Sequence, residues 1–442
     1  MTPIRNPNNV LVLTVDCLRA DISQTMQWDS FLEPFDTIEF TDCIATGSGT
    51  STSFPGILTS TYPLEFDGYG SVGSDRTTLA GLFSSNGFAT GGFHSNPLIG
   101  EDFGYGDGFD EFYDSVGGKR RLNSVLRRAL PKPLHEFIKK AYFKSTDYND
   151  LPYERANEVN IRAEQWIRSA DSPWFCWIHY MEPHHPYKPP ADYTDVDEAV
   201  QNDLWMRMNE DPESITDEEV DVLRSLYEAE IEYLSTQLTN LVDSLSEDGL
   251  LDDTLIVVLA DHGEEFRDHG GLAHRPVLYE ELVHVPLLFS GDVVEADRTD
   301  ERLVSTLDVA TTVAHASGIS PADSYRGADL LSVDEQPRER CFSELSHTSG
   351  GGGEVVEDQL KVSCRTVEWS FIHDRQQGDD FLFNRQTDFR EQNDVSSDHP
   401  AVVEEFRDEV LAHLDVVLSG ASNRREEVGE EVEDRLRELG YR

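Results

Sequence analysis

The sequence predicts an α/β protein built on a doubly wound, mostly parallel sheet, with a small C-terminal unit of antiparallel sheet plus helix. Three observations predict it. Short apolar, β-branched runs end in polar residues, helical stretches separate those runs, and the alternation stops after about Ala322.

The first run, Val10 to Val15, leads into Asp16. Continuous apolar runs of this length are expected of strands buried on both faces, whose C-terminal ends hand polar residues to a site. The pattern recurs at Trp174 to His179, which runs into Tyr180-Met181-Glu182-Pro183-His184, and at Leu255 to Ala260, which runs into Asp261-His262-Gly263-Glu264. Between them, Ala80 to Ser85, Glu154 to Ser169 and Glu218 to Ser246 read as helices. Three polar strand ends then meet at one edge, where open α/β sheets bind ligands. Beyond Ala322 come a glycine run at Gly350 to Gly353, short strand candidates at Lys361 to Val367 and Ser370 to His373, and a helix from Ala401 to Leu418. The expected organisation is a catalytic α/β domain over 1–321 carrying a basic insertion at 118–150, an α+β subdomain over 322–420, and a charged tail over 421–442 that reads as a solvated helix.

With 36 Lys+Arg against 85 Asp+Glu the formal charge is −49, while 38% hydrophobic and 10% aromatic residues exclude a disordered polyanion. Such a surface repels itself at low ionic strength; molar salt shortens the screening length to about 3 Å and removes the repulsion. The composition therefore points to a salt-loaded cell such as a haloarchaeon's. It also yields a prediction: lowering salt from molar to physiological concentration unfolds or aggregates the protein. A native circular-dichroism spectrum kept in dilute buffer would rule this out.

Cys17, Cys43, Cys176, Cys341 and Cys364 are scattered without a CxxC pair, so they read as buried thiols rather than a disulfide framework or a thiolate cluster. The N-terminus MTPIRNPNNVLVLTVD has neither a basic region followed by an apolar one nor an 18-residue apolar run, which makes the cytoplasm the expected compartment. One stretch inverts the local charge: Lys119 to Lys144 holds nine Lys/Arg against the single acid Glu136, interleaved with Leu126, Leu130, Phe137, Ile138 and Phe143. The pattern is that of a helix lying on an anionic membrane, broken in two by Pro131 and Pro133, so peripheral contact through 119–144 is an expectation, with a glycan or intramolecular contact as its alternative. Nucleic acid is excluded as a partner, because molar salt suppresses phosphate binding and the chain as a whole repels polyanions.

Several stretches resemble the sulfatase family of the alkaline phosphatase superfamily: VLTVDCLRAD, TSTSFPGILTSTYP, GFATGGFHSNP with YGDGFDEF, WIHYMEPHHPY, the long YEAEIEYL…VVLADHGEE, LYEELVHVPLLF, and FLFNRQTDFREQNDVSSDHP. They occur in family order over nearly the whole chain. The resemblance implies an alkaline-phosphatase-like fold, a metal-dependent ester hydrolase or transferase, and an anionic small-molecule, glycan or lipid-linked ester as substrate.

The family's nucleophile lies in a Cys-or-Ser-x-Pro-Ser-Arg motif ahead of a helix that ends in a Gly-x-Tyr-Pro turn. Aligning that frame on Tyr62-Pro63 puts Thr50 at the nucleophile position, followed by Ser51, Thr52, Ser53 and Phe54. Neither the cysteine that becomes formylglycine nor the usual arginine is there. A one-residue slip would make Ser51 the nucleophile. A formylglycine hydrate expels sulfate through its second hydroxyl; threonine has none, so its covalent intermediate must be attacked by water or another acceptor. Thr50 in this respect is similar to the nucleophiles of phosphodiesterases and phosphoglycol transferases in the superfamily.

Carboxylates and an imidazole suit a divalent cation. The resemblance implies one such ion, held by Asp16, Asp261, His262 and Thr50, with Ca, Mn, Mg and Zn left open and the histidine leaning toward Mn or Zn. It implies leaving-group or substrate-contacting roles for His184 and His274, and substrate binding by His269 and Arg275. His179 and His185 read as core or surface histidines. Two rival functions remain: a phosphodiesterase or phosphoglycol transferase without sulfatase activity, and a catalytically inactive glycan-binding relative.

Overall fold

The computed structural model describes residues 6–438, apart from 28–30, 34, 67, 69–71, 73–75, 116–150, 152, 296, 333–336, 347–354 and 356. The basic stretch 119–144 lies outside the described residues.

The large sheet holds eight strands: β1 (Asn9–Val15), β2 (Thr37–Ile44), β3 (Ala89–His94), β4 (Glu111–Asp114), β5 (Trp174–Tyr180), β6 (Thr254–Ala260), β9 (His284–Ser290) and β10 (Arg298–Ser305), in the order β10-β2-β9-β6-β1-β5-β3-β4. A separate two-residue pair, β7 (Glu265–Phe266) with β8 (Leu272–Ala273), follows β6. β9 runs antiparallel to both β2 and β6, and every other pairing in the large sheet is parallel. All residues of β1, β5, β6 and β9 are buried, so these strands are mostly apolar and show no alternation of apolar and polar residues. An antiparallel strand buried on both faces has the same apolar appearance as its parallel neighbours, which is why β9 gave no sign of its direction.

The helices are α1 (Thr50–Thr59), α2 (Leu79–Ser85), α3 (Ala156–Ile167), α4 (Glu198–Glu210), α5 (Asp217–Glu247), the single turn α6 (Glu280–Val283), α7 (Asp308–Ala316) and α8 (Pro400–Glu438). Thr216 and Glu219 form a reciprocal capping box that starts α5, satisfying backbone N–H groups that a helix start leaves orphaned. α3 packs on β3, β5 and α5, while α1 packs against α7, which lies along β10.

β11 (Cys341–Ser346), β12 (Leu360–Arg365), β13 (Trp369–Asp374) and β14 (Asp379–Asn384) form a second sheet, antiparallel throughout. Val403, Phe406, Val410, Leu414 and Val417 of α8 bury against Leu360, Val362, Phe371 and Leu382 of this sheet. The helix expected at Ala401 to Leu418 does not end there; it continues as one helix to Glu438. Leu330 and Leu331 still pack in the core of the large sheet.

The two sheets are joined by buried charge. Arg365 of β12, with no solvent exposure, pairs with Glu280 of α6, with the Leu278 carbonyl at 3.0 Å and with Glu391 at 2.9 Å. Among the described residues no helix is long and apolar enough to cross a membrane.

Candidate active site

The parallel ladders continue one residue past the strands and thereby place the first acids. The Asp16 N–H donates to the Tyr180 carbonyl (2.9 Å) and the Asp261 N–H to the Val15 carbonyl (3.2 Å), so β1, β5 and β6 release their chains side by side. Asp16, His179, Asp261 and His262 are fully buried. Gly263 is needed directly after them: a Cβ there would lie 1.9 Å from the Glu281 carbonyl oxygen, where the Gly263 N–H bonds Leu282.

Asp16 is the hub. Its Oδ1 is 3.4 Å from His262 Nε2 and accepts from Cys17 Sγ at 3.2 Å. Its Oδ2 lies 3.4 Å from His179 Nε2, accepts from Asn96 Nδ2 at 2.8 Å, and faces the Thr50 hydroxyl at 3.5 Å. Asn96 Nδ2 is also 3.4 Å from Thr50 Oγ1. Asp261 Oδ1 accepts from the backbone N–H groups of Cys17 (3.3 Å) and His262 (2.8 Å), which turns Oδ2 toward His262 Nε2 at 3.6 Å. His262 Nδ1 sits 2.8 Å from the Gly263 carbonyl; donation there leaves Nε2 as the lone-pair nitrogen facing the carboxylates.

Thr50 is the first residue of α1, after Gly49 in extended backbone. The loop before it is fixed by hydroxyls: Thr46 bonds the Thr52 carbonyl (3.0 Å) and Ser53 the Gly47 carbonyl (3.1 Å). A helix N-terminus stabilises a developing negative charge on that oxygen. No bond connects Ser51 to the cluster among the described contacts, and Ser51 is the less buried of the two.

Beside the carboxylates stand three histidines, one ring nitrogen from each of His184, His185 and His274 lying within 4.8 Å of the others. Buried Glu264 organises them: it is 3.3 Å from His274 Nδ1 and 3.6 Å from His185 Nδ1, and it accepts from the Tyr187 hydroxyl at 2.9 Å. The His274 ring lies 4.9 Å from that of His262.

Burial works against the Asp16 carboxylate, but His184, His179 and His262 outweigh it and hold the group well below the usual carboxylate range. Asp261 goes the other way, pushed up by burial and then by the charge of Asp16, because two close buried carboxylates resist ionising together. Burial, reinforced by His185, lowers His184 to about 3; burial and His274 lower His262 to about 4. For His274 burial is overcome by Glu264, and its pKa rises above the ordinary histidine value.

These donors fit a divalent cation. Asp261 Oδ2 and His262 Nε2 are fully buried, face each other, and have no hydrogen-bond partner among the described residues, an arrangement a cation between them would satisfy.

The structure thus brings together Asp16, Thr50, Asp261, His262, His184 and His274. It does not bring His269 or Arg275 to them. His269 pairs with Glu281 at 2.8 Å and stacks on Tyr279 with ring centroids 3.6 Å apart, while Arg275 forks onto buried Glu265 with two bonds of 2.9 Å. His269 lies in the turn between β7 and β8, and Arg275 follows β8. Conversely, His179 and His185 are in the site rather than in bland core or surface positions. His179 reaches Asp16 from the end of β5, and His185 reaches Glu264. Asn96 and Glu264 were also missed; their signal was position, each lying within four residues of a strand end.

The Sulfatase family profile matches residues 9–319. Choline-sulfatase of Rhizobium meliloti is 27% identical over 311 residues, covering 63% of this chain and 58% of its own length. The low-salt glycan biosynthesis sulfotransferase Agl7 of Haloferax volcanii is 27% identical over 164 residues, covering 36% of this chain and 37% of its own. The crystal structure of the phosphonate monoester hydrolase of Agrobacterium radiobacter superposes with a TM-score of 0.68 at 18% identity, covering 93% of this chain and 96% of that one. The chain matches 56% and 58% of the length of the first two curated relatives. With more than half its length under the family profile and its strand ends carrying the acids and histidines described above, the chain belongs to the sulfatase family.

Proposed function

We propose that the protein cleaves or transfers a sulfate ester of a glycan or other small molecule through a covalent Thr50 intermediate. The observation that carries this reading is the placement of Thr50 Oγ1 at the start of α1, 3.5 Å from Asp16 and 3.4 Å from Asn96.

Asp16, Asp261, His262 and the Thr50 hydroxyl would hold the cation. When bound, that cation supplies a Lewis acid that lowers the nucleophile's pKa and offsets charge on the equatorial oxygens. The chain's own residues do the remainder. Asn96 and the α1 N-terminus orient Thr50 Oγ1 for in-line attack on sulfur. As the Thr50 oxygen, its proton already given up to solvent, bonds sulfur, the bond from sulfur to the ester oxygen breaks, and His274 gives that oxygen a proton. His184, lowered to about 3, is neutral at pH 7 and serves as a hydrogen-bond partner rather than the acid. In the second half-reaction neutral His274 takes a proton from water, or from an acceptor hydroxyl, as that oxygen attacks sulfur and Thr50 Oγ1 departs.

Choline-sulfatase among the relatives supports hydrolysis, and the glycan sulfotransferase supports transfer to an acceptor sugar. Because threonine lacks the second hydroxyl of a formylglycine hydrate, phosphoryl chemistry is the reading to test against. The experiment is side-by-side turnover of an aryl sulfate, an aryl phosphate and a bis-aryl phosphate in molar salt. High-resolution mass spectrometry of the quenched protein accompanies it. A sulfated Thr50 peptide with aryl sulfate turnover is expected; a phosphorylated peptide with bis-aryl phosphate as the only productive substrate would replace this reading with a phosphodiesterase.

A further inference from the structure

We propose that Cys17 is a ligand of the site's cation, and that the resulting thiolate, imidazole and carboxylate donor set selects a zinc-class transition ion over calcium or magnesium. This rests on the reading that Asp16, Asp261 and His262 hold a cation.

The geometry comes first. Cys17 Sγ is fully buried, 3.2 Å from Asp16 Oδ1, and within 4.8 Å of a ring nitrogen of His262. Asp16 Oδ1 is in turn 3.4 Å from His262 Nε2, which is 3.6 Å from Asp261 Oδ2. Zinc bonds of about 2.0 to 2.3 Å place neighbouring ligands of a tetrahedron roughly 3.3 to 3.8 Å apart, and these successive separations lie in or near that range. Cys17 is not a lone thiol: its Sγ shares Asp16 Oδ1 with His262 Nε2, a fully buried nitrogen that has no hydrogen-bond partner among the described residues.

The backbone commits the side chain to that direction. Cys17 has φ 62°, a left-handed conformation uncommon for a residue with a Cβ. It is held there on both sides: its N–H donates to Asp261 Oδ1 and its carbonyl accepts from the Tyr227 hydroxyl at 2.7 Å. A carboxylate that bonds the cysteine's own amide ties the thiol position to the acid beside it.

The chemistry decides the ion. Calcium takes about six to eight oxygen ligands, and magnesium a near-octahedral shell of oxygen and water. Here a sulfur and an imidazole nitrogen occupy places that those ions would fill with oxygen. Thiolate and imidazole together favour zinc-like ions. On binding, the thiol proton leaves to solvent and the sulfur lone pair goes to the ion, so no redox partner is required. Thr50 Oγ1 would then be a fifth donor, as in catalytic zinc sites that expand to five-coordinate.

The test uses full-length protein in molar salt, stripped with a chelator and titrated with Co²⁺. Wild type is expected to bind one equivalent and show a near-ultraviolet thiolate-to-cobalt charge-transfer band. Cys17→Ser should keep the stoichiometry, lose the band, and bind Zn²⁺ roughly tenfold or more weakly, with Ca²⁺ affinity little changed. Cys17→Asp should shift preference toward Ca²⁺. Stoichiometric Co²⁺ binding by wild type without the band overturns the proposal and leaves the cation site standing. No binding of Co²⁺, Zn²⁺ or Ca²⁺ by wild type overturns both. If Cys17→Ser fails to fold, the wild-type band and the Cys17→Asp selectivity decide.

Discussion

Thr50→Ala is expected to lower turnover of any productive ester by roughly 10³-fold or more, the scale seen when a covalent nucleophile is removed. The loss should be in kcat far more than in KM, because the proposed role of Thr50 is attack on the reacting atom rather than binding. Thr50→Ser keeps a hydroxyl on the first residue of α1, within reach of Asp16 and Asn96, and should retain measurable activity and the covalent adduct. Ser51→Ala should stay within about threefold of wild type, since Ser51 makes no bond to the cluster among the described contacts. Steady-state kinetics with mass analysis of the quenched enzyme checks all three. Full activity in Thr50→Ala, or an adduct on Ser51, would move the nucleophile by one position.

Asp261→Asn and His262→Ala should each abolish bound metal and activity together. Asparagine preserves the acceptor that takes the Cys17 and His262 amide protons, and the backbone turn should survive. It also removes one of two buried carboxylates that repel each other. Metal-free Asp261→Asn should therefore be at least as stable as metal-free wild type. The rise in Tm that metal gives wild type, which follows from ligand binding to the native state alone, should vanish in the variant. Thermal melts with and without added ion, together with elemental analysis, decide this. A variant carrying a full equivalent of metal would remove Asp261 from the ligand set.

The strand ends that build this site were legible because a strand buried on both faces announces itself as an apolar run. Asp16, Asp261 and His262 stand immediately after such runs, and family order aligned Thr50 with them. Direction of a side chain was not legible. His179 occupies a fully buried strand whose residues face helices on either side, and nothing in WFCWIHY tells which face meets Asp16. His269 and Arg275 lie close in sequence to Asp261 and His262, yet they pair with Glu281 and Glu265 instead. Cys17 was read as a buried thiol, which it is; its left-handed backbone, which aims the sulfur, leaves no trace in composition or spacing.

The charge bridge between the two sheets makes the second sheet a buttress rather than a detachable module. Arg365 grips α6 through Glu280 and the Leu278 carbonyl, and the next residues of that turn, Glu281 and Leu282, press on Gly263 beside His262. A strand outside the family-matched segment 9–319 thus braces the turn that carries two of the proposed ligands. A chain cut back to that segment would leave Glu280 with His284 but without its arginine, so a piece that extends through β12 is expected to hold this turn more firmly than one that stops at 319.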